Sequence, residues 1–270
     1  MIDIVKLLGI LALIIGLLRL GWNLGLILVL ASAATALLFG LALQDLILDA
    51  LQATVDPLTL QLIAIVLLIT LLGTILRSTL QLKGMIRSLG GLVKDRRLLL
   101  ALIPTFIGML PMVGGAMFSA PMVEEASQGM EVSPERRTFV NYWFRHSLET
   151  IVPLYPSLVV AAGLMNVPVH TLTLTQWPLV LAMLAGGLLF GLAGIRRASL
   201  ATERQGTGRD AWILLVESTW PIALVLFLSI VLRIDLVLSL LLTVAILVVV
   251  NRLGPRRLLP LVRGMPFDIV

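Results

Sequence analysis

Apolar runs long enough to cross a membrane recur from one end of this chain to the other. A transmembrane helix needs about 20 predominantly apolar residues to traverse a hydrocarbon core of about 30 Å. On that measure the sequence predicts spans at about 3–20, 22–42, 57–76, 138–165, 177–195, 212–232 and 234–250. Composition agrees: 59% of the 270 residues are hydrophobic, 13% are charged and the mean hydropathy is +1.06. A soluble domain carries about 25% charge, so the pattern argues against an ordinary soluble enzyme. The predicted fold class is an all-α polytopic membrane protein with about seven transmembrane helices. The first run, followed by Ala31-Ser32-Ala33, imitates a signal peptide, but a second apolar run follows at once and both read as spans.

An eighth apolar stretch, about 98–121, contains Pro104, Gly108, Pro111, Gly114, Gly115 and Pro121. Proline removes a helical hydrogen bond and glycine weakens the helix, so two half-helices folded back as a re-entrant hairpin fit better than one straight span. Charge placement tests this. Cytoplasmic loops collect Lys and Arg. If the N-terminus is outside and 98–121 does not cross, all 20 basic residues fall on one side except Lys6, Arg145 and Arg233. The segment 43–56 on the other side holds Asp45, Asp49 and Asp56 and no base. The net charge of +5 therefore reads as a cytoplasmic-face bias of a membrane protein in contact with lipid, not as a nucleic-acid footprint.

The segment Leu11–Arg19 resembles Val225–Arg233 at an offset of 214 residues. An odd number of crossings separates the copies, so the second is inverted, as in many secondary transporters. This predicts a first repeat over 1–211, with five spans and the hairpin, and the start of a second over 212–270. A complete second repeat would end at roughly 430 by the same period. The sequence then reads as a fragment, or as a half-protein that a partner completes.

Two clusters carry candidate chemistry. The first is the hairpin centre, with Pro111, Gly114, Gly115 and Ser119. Non-helical backbone at membrane depth frees N–H groups for an anion and carbonyls for Na⁺. A simple kink or tight small-residue packing is the alternative. The second is Asn141, Arg145, His146 and Glu149, followed by Pro153 and Pro156. Asn141, Arg145 and Glu149 recur every four residues and would share a helix face. Ser133 reads as an N-cap and Pro134 as the first helical residue, which puts Arg145 roughly 16 Å along the helix. Arg145 would bind an oxygen pair of a carboxylate or phosphate, and His146 or Glu149 would carry a proton. The alternative is an interfacial helix with a structural Arg145–Glu149 pair and Tyr142, Trp143 and Tyr155 as belt aromatics. Glu124 and Glu125 read as solvated charges, and Glu217 as either functional or snorkelling.

Other chemistries find little support. The chain has no cysteine, which removes disulfides, thiolate metal sites and thiol catalysis; its two histidines argue against a histidine metal cluster. It has no phosphate-binding loop, dinucleotide fingerprint, zinc pentapeptide or serine elbow. Enzymatic activity and a resident metal or cofactor are accordingly not expected.

The run Ile107–Pro121, with Asn141–His146 and Pro153–Pro156, resembles an uncharacterised prokaryotic membrane family known as domain of unknown function 401. That family is similar to the ion transporter superfamily, alongside gluconate, citrate, dicarboxylate and arsenite permeases. The resemblance implies an inverted-repeat fold, one re-entrant hairpin per repeat, a homodimer, and a substrate-contacting hairpin at Pro111–Pro121. The expectation is a secondary transporter for a small anionic solute, driven by H⁺ or Na⁺, with Pro111, Gly114, Gly115, Ser119 and Arg145 at the substrate and His146 and Glu149 at the proton. The rival expectation is a membrane scaffold or subunit without transport.

Overall fold

The computed structural model describes residues 2–110, 115–196 and 208–265. The described residues are helical, without strands, and divide into two compact units, within Met1–Gln61 and over Leu62–Met265.

In the first unit, α1 (Ile2–Arg19) and α2 (Leu24–Leu38) pack on each other as a helical hairpin turned at Gly21, whose φ is +75°. Asn23 starts α2 by accepting hydrogen bonds from the N–H groups of Gly25 (2.8 Å) and Leu26 (3.4 Å). The hairpin buries only Ile10, Ile27 and Ala31, and its remaining leucines and valines face outward. A helix that is apolar all round and exposed belongs in lipid rather than water. The Lys6 ammonium sits 4.8 Å from the centre of the Phe39 ring. The short α3 (Leu43–Val55) is amphipathic, with Asp45 and Asp49 exposed.

The second unit holds the core. It contains all but the first turn of α4 (Pro57–Ser78), then α5 (Gln81–Leu92), α6 (Arg96–Gly108), α7 (Gly115–Ala126) and α8 (Pro134–His146). After these come α9 (Pro156–Leu164), α10 (Val169–Thr175), α11 (Trp177–Gly186), α12 (Gly208–Leu226), α13 (Leu236–Val250) and α14 (Pro255–Arg263). Wider π-helical turns extend α11 over Gly187–Leu192 and α12 over Phe227–Val231. Helix α4 and the extended α12 are long and apolar enough to cross a membrane; the α9–α10 pair, bent by 106°, would make a third. Helix α2, the extended α11 and α13 are apolar but shorter.

Ser133 caps α8 as expected, and aspartates cap three further helices. Asp56 starts α4, Asp95 starts α6, Ser133 starts α8 and Asp235 starts α13, each accepting from a backbone N–H two or three residues on. The span read at 138–165 is broken, as its prolines lead one to expect, but earlier in the chain: α8 ends at His146, and turns run from Ser147 to the start of α9. The Ser147 hydroxyl bonds back to the Phe144 carbonyl at the end of α8, and Pro153 and Pro156 lack the N–H groups that would let a helix run on through the following segment. Between the third span, read at 57–76, and the stretch 98–121, the chain forms helix α5, packed on α12.

The stretch 98–121 does break into two helices that pack on each other, α6 and α7. At 13 and 12 residues each is no longer than about 20 Å, well short of a bilayer core. Both lie against α8. On its far side α8 meets the extended α11, where Gly186, Gly187 and Gly191 leave room for Trp143, Phe144, Phe139 and Val140.

Candidate functional site

The helix pair α6–α7 opens toward the last turn of α8, and one side chain fills the space between them. Arg145 is 3% exposed. Its Nη1 donates to the Gly108 carbonyl (3.3 Å) and the Tyr155 hydroxyl (2.6 Å), and its Nη2 donates to the Leu110 carbonyl (3.0 Å). Tyr155 in turn donates to the Gly108 carbonyl at 2.6 Å. The guanidinium therefore sits on the carbonyl end of α6, where the helix dipole favours a cation.

Two glycines make the approach possible. A Cβ on Gly108 would collide with the Arg145 carbonyl, and one on Gly115 would lie 2.5 Å from Nη2 and 2.6 Å from Nε. Gly115 is the first described residue of α7, so the guanidinium also lies beside the early part of that helix. The Nε of Arg145 is buried and has no hydrogen-bond partner among the described residues. This Nε–Nη2 edge is the planar fork that recognises two oxygens of one anion.

Beside it lies a second polar pair. His146 Nδ1 is 2.6 Å from Glu149 Oε1, and the same carboxylate oxygen is 3.8 Å from Arg145 Nη1. His146 and Glu149 are each about one-third exposed, and the Tyr142 ring lies 4.4 Å from the imidazole. Glu149 reaches Arg145 from the turn beyond α8, not from the same helix face. The Thr150 hydroxyl is buried there without a partner among the described residues.

One turn earlier on α8, Asn141 ties α7 to the site. Ser119, fully buried, places its Oγ 2.5 Å from Asn141 Oδ1, and Asn141 Nδ2 donates to the Ala116 carbonyl at 2.8 Å. Ser119 is thus a holder of Asn141. Asn141 also borders an open groove of about 430 Å³ between α7 and α8, lined by Ala116, Ala120, Val123, Thr138 and Tyr142.

Of the residues singled out in the sequence, Gly115, Ser119, Arg145, His146 and Glu149 thus gather around the α8 end, while Pro111 and Gly114 lie outside the described residues. Glu124 is mostly exposed and pairs with Arg137 at 3.6 Å, and Glu217 is exposed on α12. Tyr155, a belt aromatic only in the alternative reading, is a direct partner of Arg145. The Gly108 and Leu110 carbonyls were invisible in sequence, because every residue has one.

The other end of α6–α7 is closed by Arg96, whose Nε donates to the Ala126 carbonyl (3.1 Å) and Nη2 to the Gln128 carbonyl (2.5 Å). Among the described residues no three His, Cys, Asp or Glu side chains converge as a metal site would require.

The family model described as protein of unknown function (DUF401) matches residues 4–265. No curated protein and no solved structure matches the chain.

Proposed function

The chain belongs to the DUF401 family of proteins of unknown function, and on that footing we propose that it is a secondary active transporter for a small anionic solute such as an organic acid, driven by H⁺ or Na⁺. One observation supports the reading: Arg145 is buried between two short helices, with its Nε unpartnered among the described residues and close to Gly115 at the start of the described part of α7. A charge at membrane depth costs at least about 2.5–3.5 kcal/mol by insertion scales and is retained there for function. An unspent donor near the start of a helix suits a carboxylate. The partly exposed His146–Glu149 pair, in reach of the same guanidinium, would carry the coupling proton. The groove bordered by Asn141 would be the solute's approach. Pro111 and Gly114 complete the proposed contact set with Gly115 and Ser119.

The transporter architecture is part of the proposal: about seven spans, a re-entrant α6–α7 and an inverted repeat. Helices α2 and α13 both have 15 residues, and each is started by an Asn or Asp cap. They begin at residues 24 and 236, and the amphipathic α3 and α14 begin at 43 and 255, so the offset is 212 in both cases. Helix α3 carries aspartates and α14 arginines, which supports opposite sides of the membrane for the two copies. The proposed setting is a prokaryotic cytoplasmic membrane, N-terminus outside, with a homodimer supplying the second site.

The test is uptake of labelled organic acids by the whole chain in proteoliposomes under an imposed pH or Na⁺ gradient. Uptake is expected, and Arg145→Gln or Gly115→Leu should abolish it while each variant still elutes as folded protein. Uptake unchanged in both folded variants would overturn the reading. No uptake of any acid by the unmodified chain would favour the scaffold.

A further inference from the structure

Helix α14 (Pro255–Arg263) is short, has no membrane-spanning length and follows the strongly apolar α13 after four residues. At 3.6 residues per turn its side chains fall into three sectors. Leu258 and Leu261 are partly buried against the core. Leu259 and Val262, on the neighbouring sector, are 52% and 38% exposed. Arg256, Arg257 and Arg263 occupy the remaining side and are exposed, as is Arg252 just before the helix. The sequence holds no Asp or Glu from Leu236 to Phe267, and none of these arginines has an acidic partner among the described residues.

A helix in bulk water has no use for the middle sector, since leucine and valine there are simply exposed. A helix lying flat in a bilayer interface uses all three: one side on protein, one on acyl chains, one on headgroups. The geometry points to α14 as an interfacial anchor whose arginines bind the phosphates of anionic phospholipid. Four guanidinium groups without a counter-charge demand that chemistry, and each basic residue near an anionic surface adds appreciably to attraction. The inference is independent of the transport reading: it concerns neither Arg145 nor the α6–α7 site.

The cysteine-free chain makes the test direct. A polarity-sensitive fluorophore on Leu259→Cys, in the full chain in nanodiscs containing phosphatidylglycerol, should emit as in an apolar medium. Nitroxide-labelled lipid should quench it and aqueous iodide should not; the same fluorophore on Arg257→Cys should show the reverse. The triple variant Arg256→Gln, Arg257→Gln, Arg263→Gln should retain phosphatidylglycerol about a hundredfold more weakly in native mass spectrometry. It should still run as folded protein, because the substituted side chains are exposed. A Leu259 fluorophore quenched by iodide in these nanodiscs would overturn the inference. So would retention of phosphatidylglycerol, relative to phosphatidylcholine, that the triple variant leaves unchanged.

Discussion

Arg145 holds its position through neutral acceptors as much as through charge. Two backbone carbonyls and a phenol take its Nη hydrogens, and the nearest carboxylate oxygen is 3.8 Å away. Removing one neutral partner should therefore be costly. Tyr155→Phe is expected to lower stability by about 1–3 kcal/mol, because a buried donor and a buried carbonyl both lose a bond; thermal unfolding in detergent checks this. Arg145→Lys should behave like a loss and not a conservative change, since a single ammonium cannot span the Gly108 and Leu110 carbonyls and the Tyr155 hydroxyl together. Gly115→Ala should cost about 1–3 kcal/mol by overpacking against the guanidinium. Gly73→Ala is the matched control: nothing lies within 4 Å of the added methyl, so stability should hold or rise slightly.

At the scale of the helix, caps and proline breaks decide boundaries. Asp235 bonds the N–H groups of Val237 (2.9 Å) and Leu238 (3.3 Å), so Asp235→Ala should cost about 1 kcal/mol and speed hydrogen exchange at those two amides. These features were legible in sequence because they are local: an apolar run, an Asn, Asp or Ser before it, a proline after it. Helices α3, α5, α10 and α14 were not legible. They are short and partly polar, and their apolar residues are too few to stand out from a loop. The break of the helix pair near residue 110 was legible from its glycines and prolines. What the broken ends would face was not, because the Arg145 contacts join positions 35 and 37 residues apart through backbone atoms. The expected shared face of Arg145 and Glu149 failed for the same reason that the pairing survived. Helix α8 ends at His146, and the following turn returns Glu149 to within 3.8 Å.

For the whole molecule, the proposed orientation makes Asp49 and Arg87 report from opposite sides of the membrane. Both are exposed in the structure. In intact cells a membrane-impermeant maleimide should label Asp49→Cys, and Arg87→Cys only after permeabilisation. The reverse pattern would invert the orientation, and labelling from one side alone would mean that α4 does not cross. The contacts of Arg145 also set an order in time. A ribosome makes the chain from residue 1 onward, so the carbonyls of Gly108 and Leu110 are synthesised well before Arg145, and Tyr155 follows within ten residues. The arginine emerges when most of its acceptors already exist. A chain begun after α6 would deliver the same side chain to the bilayer bare, so the membrane-insertion machinery should reject that helix while accepting it in the longer nascent chain.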